Sequence, residues 1–310
     1  MNDIRALVLS AYGGADAARI ATIPAPTAGP GQVLVRVKAA GVNPLDWKVR
    51  EGYVRDAFPL KFPAVLGIEL AGVVEALGAG VEGFAVGDRV MGPLGGLGAY
   101  ADLVAADAAN LCQIPDNLDD VVAAALPVAT LTAWQSLNFA GPIRPGQRVL
   151  IHGAAGAVGG FAVQFARRAG ARVFATARGR YAAYLRDLGA DVIIDYETQA
   201  FEAELRDMDL VLDYVGGDVL DRSWSVLAPD GAVVGTSSPE ILSRTPAGRR
   251  GLWFMNKPDA ERLREIAELV ARKELQSRVE EVVALTDLAA TIERIRTHAH
   301  HGKTVVDFTL

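Results

Sequence analysis

From residue 148 onward the chain alternates short apolar runs with stretches of helical period, and this alternation restricts the fold more than any other feature. Residues 149–152 read as a strand, 157–169 as a helix, 172–176 as a strand and 180–188 as a helix. Strands at 192–194, 210–214 and 232–235 continue the series, with a helix at 219–227. Strand and helix in strict succession build a parallel, doubly wound sheet. A chain of 310 residues exceeds what one core usually serves, so a second domain is expected.

The first third has a different texture. Residues 5–9, 32–39, 69–77, 88–91 and 99–104 are β-rich runs separated by glycines and prolines. In the second of them Val33, Val35 and Val37 alternate with polar partners. Spacing of roughly 10 residues suits a small barrel or sandwich. Residues 119–137 read as one helix and 259–272 as a long amphipathic one. Strands at 279–285 and 304–308 flank a last helix at 286–297. The fold class expected is α/β, with a β-rich domain over 1–120, completed by 273–310, and a doubly wound domain over 121–272.

Charge and composition narrow the function. The chain carries 31 Lys and Arg against 37 Asp and Glu, a formal net charge of −6, which gives no basic surface for nucleic acid. A single cysteine, Cys112, makes neither an internal disulfide nor a multi-cysteine zinc site and fits a reducing cytoplasm. The first residues have no basic stretch followed by a long apolar one, so no signal peptide is read. Residues 121–143 carry no formal charge, but Pro127, Thr130, Thr132, Gln135, Ser136 and Asn138 make them too polar for a lipid-facing helix. The expectation is therefore a soluble, cytoplasmic protein. His298, His300 and His301 are metal-binding by type, but no carboxylates stand at helical spacing from them, and a solvated helix end is expected.

The most specific local signal is Val-Leu-Ile-His-Gly-Ala-Ala-Gly-Ala-Val-Gly at 149–159. A strand ends, glycines follow at 153, 156 and 159, and a helix begins. This is the strand–turn–helix context in which backbone N–H groups and a helix N-terminus hold a dinucleotide pyrophosphate. Gly153, Ala155, Gly156, Ala157 and Val158 are the candidate cradle, and Gly159 permits close packing of helix on strand. The second strand ends at Thr176 and Ala177 and is followed by Arg178-Gly179-Arg180. No acid stands there to hold a ribose 2′-hydroxyl, whereas a guanidinium pairs with a 2′-phosphate. Arg178 and Arg180 thus favour NADPH; two solvated arginines at a helix start are the plainer reading. Val215 and Gly216, and Gly235 and Thr236, end later strands where ligands of such sheets lie.

Several longer segments resemble one family over nearly the whole chain. These are AAGVNPLDWKVREG at 39–52, FPAVLGIELAGVVEALGAGVEGFAVGDRV at 62–90, LPVATLTAWQSL at 126–137, LGADVIIDY at 188–196 and GKTVVDF at 302–308, together with the glycine turn. They resemble the zinc-independent quinone oxidoreductase branch of the medium-chain dehydrogenase/reductase superfamily. The resemblance implies a GroES-like domain and a Rossmann domain, and a homodimer. In the zinc-dependent relatives a Cys ligand stands where this chain has Asn43, and a His ligand where it has Ile68 in Leu66-Gly-Ile-Glu69. The four-Cys structural lobe is missing as well, so neither zinc site is expected.

By the same resemblance Asn43 lies near the nicotinamide ribose and the substrate, or is a turn residue before Pro44. Tyr53 is a candidate proton donor or structural filler. Thr130 lines the nicotinamide pocket or satisfies a helix carbonyl. Tyr196 reaches the 2′-phosphate or covers the sheet. Phe254, Met255 and Asn256 form a candidate wall and clamp for the nicotinamide. Without a Lewis acid, alcohol oxidation is not expected, and hydride transfer to quinones or α,β-unsaturated carbonyls is. An enoyl-thioester reductase and a non-catalytic NADPH-binding sensor or scaffold are the alternatives.

Overall fold

A computed structural model describes residues 3–56, 59–297 and 301–310. His298 and His300 lie outside the described residues. The chain divides into two compact units, residues 1–128 with 257–310, and residues 129–256.

The first unit opens with strands β1 (Asp3–Leu9), β2 (Ala18–Pro24) and β3 (Gln32–Val42), then helix α1 (Pro44–Arg50). Strands β4 (Ala64–Val65), β5 (Glu69–Leu77), β6 (Arg89–Pro93), β7 (Leu103–Asp107) and β8 (Cys112–Gln113) follow, and helix α2 (Asp120–Ala124) closes the segment. Val33, Val35 and Val37 alternate inward on β3 as the pattern predicts, and beyond them Ala39–Val42 is buried on both faces because α2 packs across it. The predicted strand at 99–104 starts at Leu103 instead. Ala99 and Tyr100 turn their N–H groups to the carbonyls of Gly67 and Leu66, and Tyr100 O receives Leu7 N–H, which ties this stretch to β1 rather than to a ladder.

The expected helix over 119–137 is two helices. Helix α3 (Pro127–Phe139) begins at a proline, which lacks the N–H that would continue α2 and favours the first helical position. The second unit then holds β9 (Arg148–His152), α4 (Ala157–Arg168), β10 (Arg172–Ala177), α5 (Ala182–Asp187), β11 (Val192–Asp195), α6 (Phe201–Glu204), β12 (Met208–Asp213), α7 (Asp218–Ser223), β13 (Leu227–Gly235), α8 (Ile241–Arg244) and β14 (Arg250–Trp253). Its six strands are ordered β11-β10-β9-β12-β13-β14 and all pair in parallel. The order reverses between β9 and β12, the switch point where such sheets bind ligands. Burial of β9, β10 and β12 on both faces explains their near-continuous apolar runs.

The chain returns to the first unit with α9 (Ala260–Ala271), β15 (Val279–Ala284), α10 (Leu288–Thr297) and β16 (Lys303–Asp307). Strand β16 pairs antiparallel with β3, Thr304 opposite Val42, inside a sheet ordered β15-β16-β3-β5-β6-β8, and β7 pairs the first half of β3 on the edge away from β5. Helix α9 also belongs here rather than to the second unit: it packs on β8, and Asn117 Nδ2 donates to Ala271 O at 2.9 Å. The unit boundaries therefore fall after Val128 and Asn256, not at 120 and 272. Among the described residues no helix is long and apolar enough to cross a membrane.

A charged clamp joins α1 to α10. The buried Arg50 guanidinium reaches Glu51 at 2.8 Å and Glu293 at 2.6 Å, and Arg296 contacts the same two carboxylates. Hydrogen bonds from Arg296 and Arg50 hold the Glu293 carboxyl down at about 2, below its ordinary 4.5. Its contribution to stability is therefore complete above pH 4.5 and disappears as pH falls towards 2. Glu293→Gln should lower unfolding free energy at pH 7 by about 1.5 kcal/mol. Urea titrations should show this difference shrinking below pH 4.5 and closing near 2; a difference independent of pH would contradict the clamp.

Candidate functional site

Two sets of residues carry the chemistry, one in each unit. In the second unit every strand ends on the same edge of the sheet. The residues expected to hold a cofactor gather there for that reason: Gly153 to Val158 after β9, Thr176, Arg178 and Arg180 at β10, Tyr196 after β11, Val215 and Gly216 after β12, Gly235 and Thr236 at β13, and Phe254 to Asn256 after β14.

The glycine turn fits a pyrophosphate. Gly153 has φ +71°, a conformation that favours glycine. A Cβ on Gly159 would stand 2.3 Å from Gly153 O, so only glycine lets α4 seat on the turn. Helix α4 starts at Gly156 with no side-chain cap, which leaves its first N–H groups and dipole to an anion. Across the switch point Asp213 ends β12. Its Oδ1 accepts Val215 N–H at 2.9 Å and Gly216 N–H at 2.8 Å, while Oδ2 is buried with no partner. Burial pushes this carboxyl up, and the two backbone N–H groups partly offset the shift. Asp213 was not anticipated; the only signal for it is an acid just before the Tyr214-Val215-Gly216-Gly217 turn.

His152 is structural. Ser223 Oγ donates to Val219 O at 2.6 Å, so it accepts from His152 Nε2 at 3.1 Å. Nδ1 then accepts from Thr176 Oγ1 at 2.9 Å. Burial pushes the imidazole down to about 3, so it is neutral and fully bonded. The Thr176 hydroxyl thus serves His152 from a buried position. Arg178 Nε lies 3.0 Å from Glu197 Oε1, and Arg180 packs over the Tyr181 ring. Tyr196, Val215 and Met255 are about half exposed, and Phe254 is buried against Phe139. Thr130 is fully buried in α3.

In the first unit Asn43 caps α1 and lies in a buried polar cluster. Its Nδ2 donates to Glu69 Oε1 at 2.8 Å and to Gly41 O at 3.3 Å. Its Oδ1 accepts from Lys303 Nζ at 2.6 Å, and Lys303 also reaches Glu69 Oε1 at 2.5 Å. Glu69 Oε2 accepts Val128 N–H at 2.7 Å. Both amide donors of Asn43 are therefore engaged inside the protein, and its Oδ1 accepts from Lys303 and from the Asp46 N–H of the α1 capping box, so the side chain is fully bonded within the protein. A Cβ on Gly41 would meet Glu69 Oε1 at 2.4 Å, so that glycine admits the carboxylate. Asp46 accepts Asn43 N–H at 2.7 Å and Tyr100 O–H at 2.6 Å. Burial pushes its carboxyl up to about 7 against these bonds and the Lys303 charge. Tyr53 is 73% exposed and sets its ring edge-on to Trp47.

The cluster does not fit a zinc ion. Ile68 offers no donor, and the ligand atom of Asn43 already faces an ammonium. Among the described residues no group of three His, Cys, Asp or Glu side chains is placed to hold a metal.

Comparison with known proteins agrees with the fold. An alcohol dehydrogenase GroES-like domain matches residues 29–116, and the family described as zinc-binding dehydrogenase matches 188–306. A quinone oxidoreductase from Coxiella burnetii superposes with a TM-score of 0.94 at 31% identity, covering 99% of both chains. The CurK enoyl reductase superposes at 0.87 with 28% identity, again over 99% of both. A 2-haloacrylate reductase from a Burkholderia species is 36% identical over 270 residues, 82% of this chain and 81% of its own. Two other curated relatives are far longer, and this chain spans 8% and 7% of them. A Rossmann sheet in such a family implies a nicotinamide cofactor.

Proposed function

Because the chain belongs to the quinone oxidoreductase branch of the medium-chain dehydrogenase/reductase superfamily, we propose that it is an NADPH-dependent reductase delivering hydride to a quinone or an α,β-unsaturated carbonyl without a metal. The observation that carries this reading is the Lys303 ammonium, 2.6 Å from Asn43 Oδ1 and 2.5 Å from Glu69 Oε1. A cation bound by these oxygens would have to displace it. With no Lewis acid, the acceptor must itself delocalise the negative charge that arrives with hydride, and conjugated carbonyls do so.

When bound, the nicotinamide supplies the hydride. The protein's part is to bind and orient. The first turn of α4 and the Gly153 turn take the pyrophosphate, with Asp213 holding the Val215–Gly216 backbone beside them. Arg178 takes the 2′-phosphate. Asn43, fixed by Lys303, Glu69 and the Asp46 N–H of the capping box, holds the buried polar cluster in place. Tyr53 is the candidate donor of the proton that completes enone reduction.

The test is NADPH oxidation against a panel of quinones, enones and enoyl thioesters. Turnover of quinones or enones supports the reading. Turnover of enoyl thioesters alone favours the second one, which the likeness to the CurK enoyl reductase motivates. Cofactor binding without any turnover would make the protein a non-catalytic binder.

A further inference from the structure

We infer that Glu197 is a cofactor-specificity determinant, a carboxylate set against Arg178 that competes with the 2′-phosphate of NADPH for the guanidinium. The inference rests on the NADPH reading above. Strands β10 and β11 run parallel with Ala177 beside Asp195, so Arg178 and the segment after Asp195 leave the sheet side by side. That segment is pinned. Asp195 Oδ1 accepts Glu197 N–H at 3.1 Å, and Asp195 O accepts Thr198 N–H at 3.0 Å and Gln199 N–H at 2.8 Å. Glu197 Oε1 is thereby placed 3.0 Å from Arg178 Nε.

This contact is an ion pair without an aligned hydrogen bond, because Arg178 Nε is buried with no hydrogen-bond partner. A phosphate oxygen in line with that N–H adds the bond the carboxylate does not make. Glu197 is also the more exposed member, 54% against 30% for Arg178, so the carboxylate can turn to water while the guanidinium stays. Asp195 adds a second acid: a Cβ on Gly179 would lie 2.5 Å from its Oδ2. The acid missing from the end of β10 is thus supplied by the neighbouring strand. A phosphate carrying about −1.5 to −2 must displace Glu197 and sit beside Asp195, whereas the 2′-hydroxyl of NADH displaces nothing. Glu197 therefore narrows the preference of the protein for NADPH.

The test is direct binding of NADPH and NADH by titration calorimetry to wild type, Glu197→Gln, Arg178→Ala and the double variant. Glu197→Gln should tighten NADPH about three- to tenfold, more at low salt than at high, and move NADH less than twofold. In the Arg178→Ala background the same change should alter NADPH binding less than twofold. Unchanged or weaker NADPH binding to Glu197→Gln overturns the inference, since Glu197 would then be neutral or would support Arg178. The NADPH reading fails separately, if wild type binds both cofactors equally and Arg178→Ala weakens both alike.

Discussion

Lys303→Met should destabilise the protein by about 3–5 kcal/mol, the cost of leaving a buried charge without its partner. Lys303 is 4% exposed and Glu69 is fully buried, so no water replaces the ammonium. Asn43 Oδ1 loses one of its donors in the same step. Adding Glu69→Gln removes the stranded charge and should recover most of the loss, because a neutral pair needs no counterion. The effect should also depend on pH. Lys303 is one of the groups holding the Asp46 carboxyl down, so its removal raises that group further above its present value near 7. A folded-state Asp46 carboxyl raised further above its unfolded value costs more stability as pH rises, so the penalty should be smallest in acid and grow with pH. Urea unfolding of the three proteins between pH 5 and about 8 reads all of this. A single variant costing under about 1 kcal/mol, or a double variant no more stable than the single, would mean that the pair is not the centre of this cluster.

Arg178→Ala should raise the dissociation constant for NADPH roughly 10- to 150-fold, equivalent to a charge-assisted hydrogen bond of about 1.5–3 kcal/mol. NADH has no phosphate there and should change less than about twofold. The wild-type contact is partly exposed, so salt should weaken NADPH binding more than NADH binding. Equal effects on both cofactors would show that Arg178 supports the loop and not the phosphate.

The doubly wound half was readable because period and punctuation are local properties. The strand at 149–152, the glycine turn and the helix from Ala157 stand within a residue of where the pattern puts them. The candidate cofactor residues of this half share one edge for a topological reason, since a parallel sheet brings all its strand ends to one side. Strands β2 and β14 and helix α1 carry no clear period, and Pro127 breaks a stretch whose apolar pattern runs on. The buried cluster was less readable still. Lys303 meets Asn43 across 260 residues of sequence and Glu69 across 234, a pairing that only the β16–β3 ladder creates. Asn43 could be marked as a candidate, but its bonds to Glu69 and Lys303 depend on those distant partners. Glu197 escaped for a related reason: an acid was sought at the end of β10, and the neighbouring strand supplies it.

Hydride transfer itself is tested most directly with NADPH deuterated at the nicotinamide C4, an enone acceptor and a metal chelator in the buffer. The account predicts deuterium on the β-carbon of the saturated product, at a rate the same with and without the chelator, with NADPH used at least about tenfold more efficiently than NADH. A product without deuterium, or turnover abolished by the chelator, would contradict it.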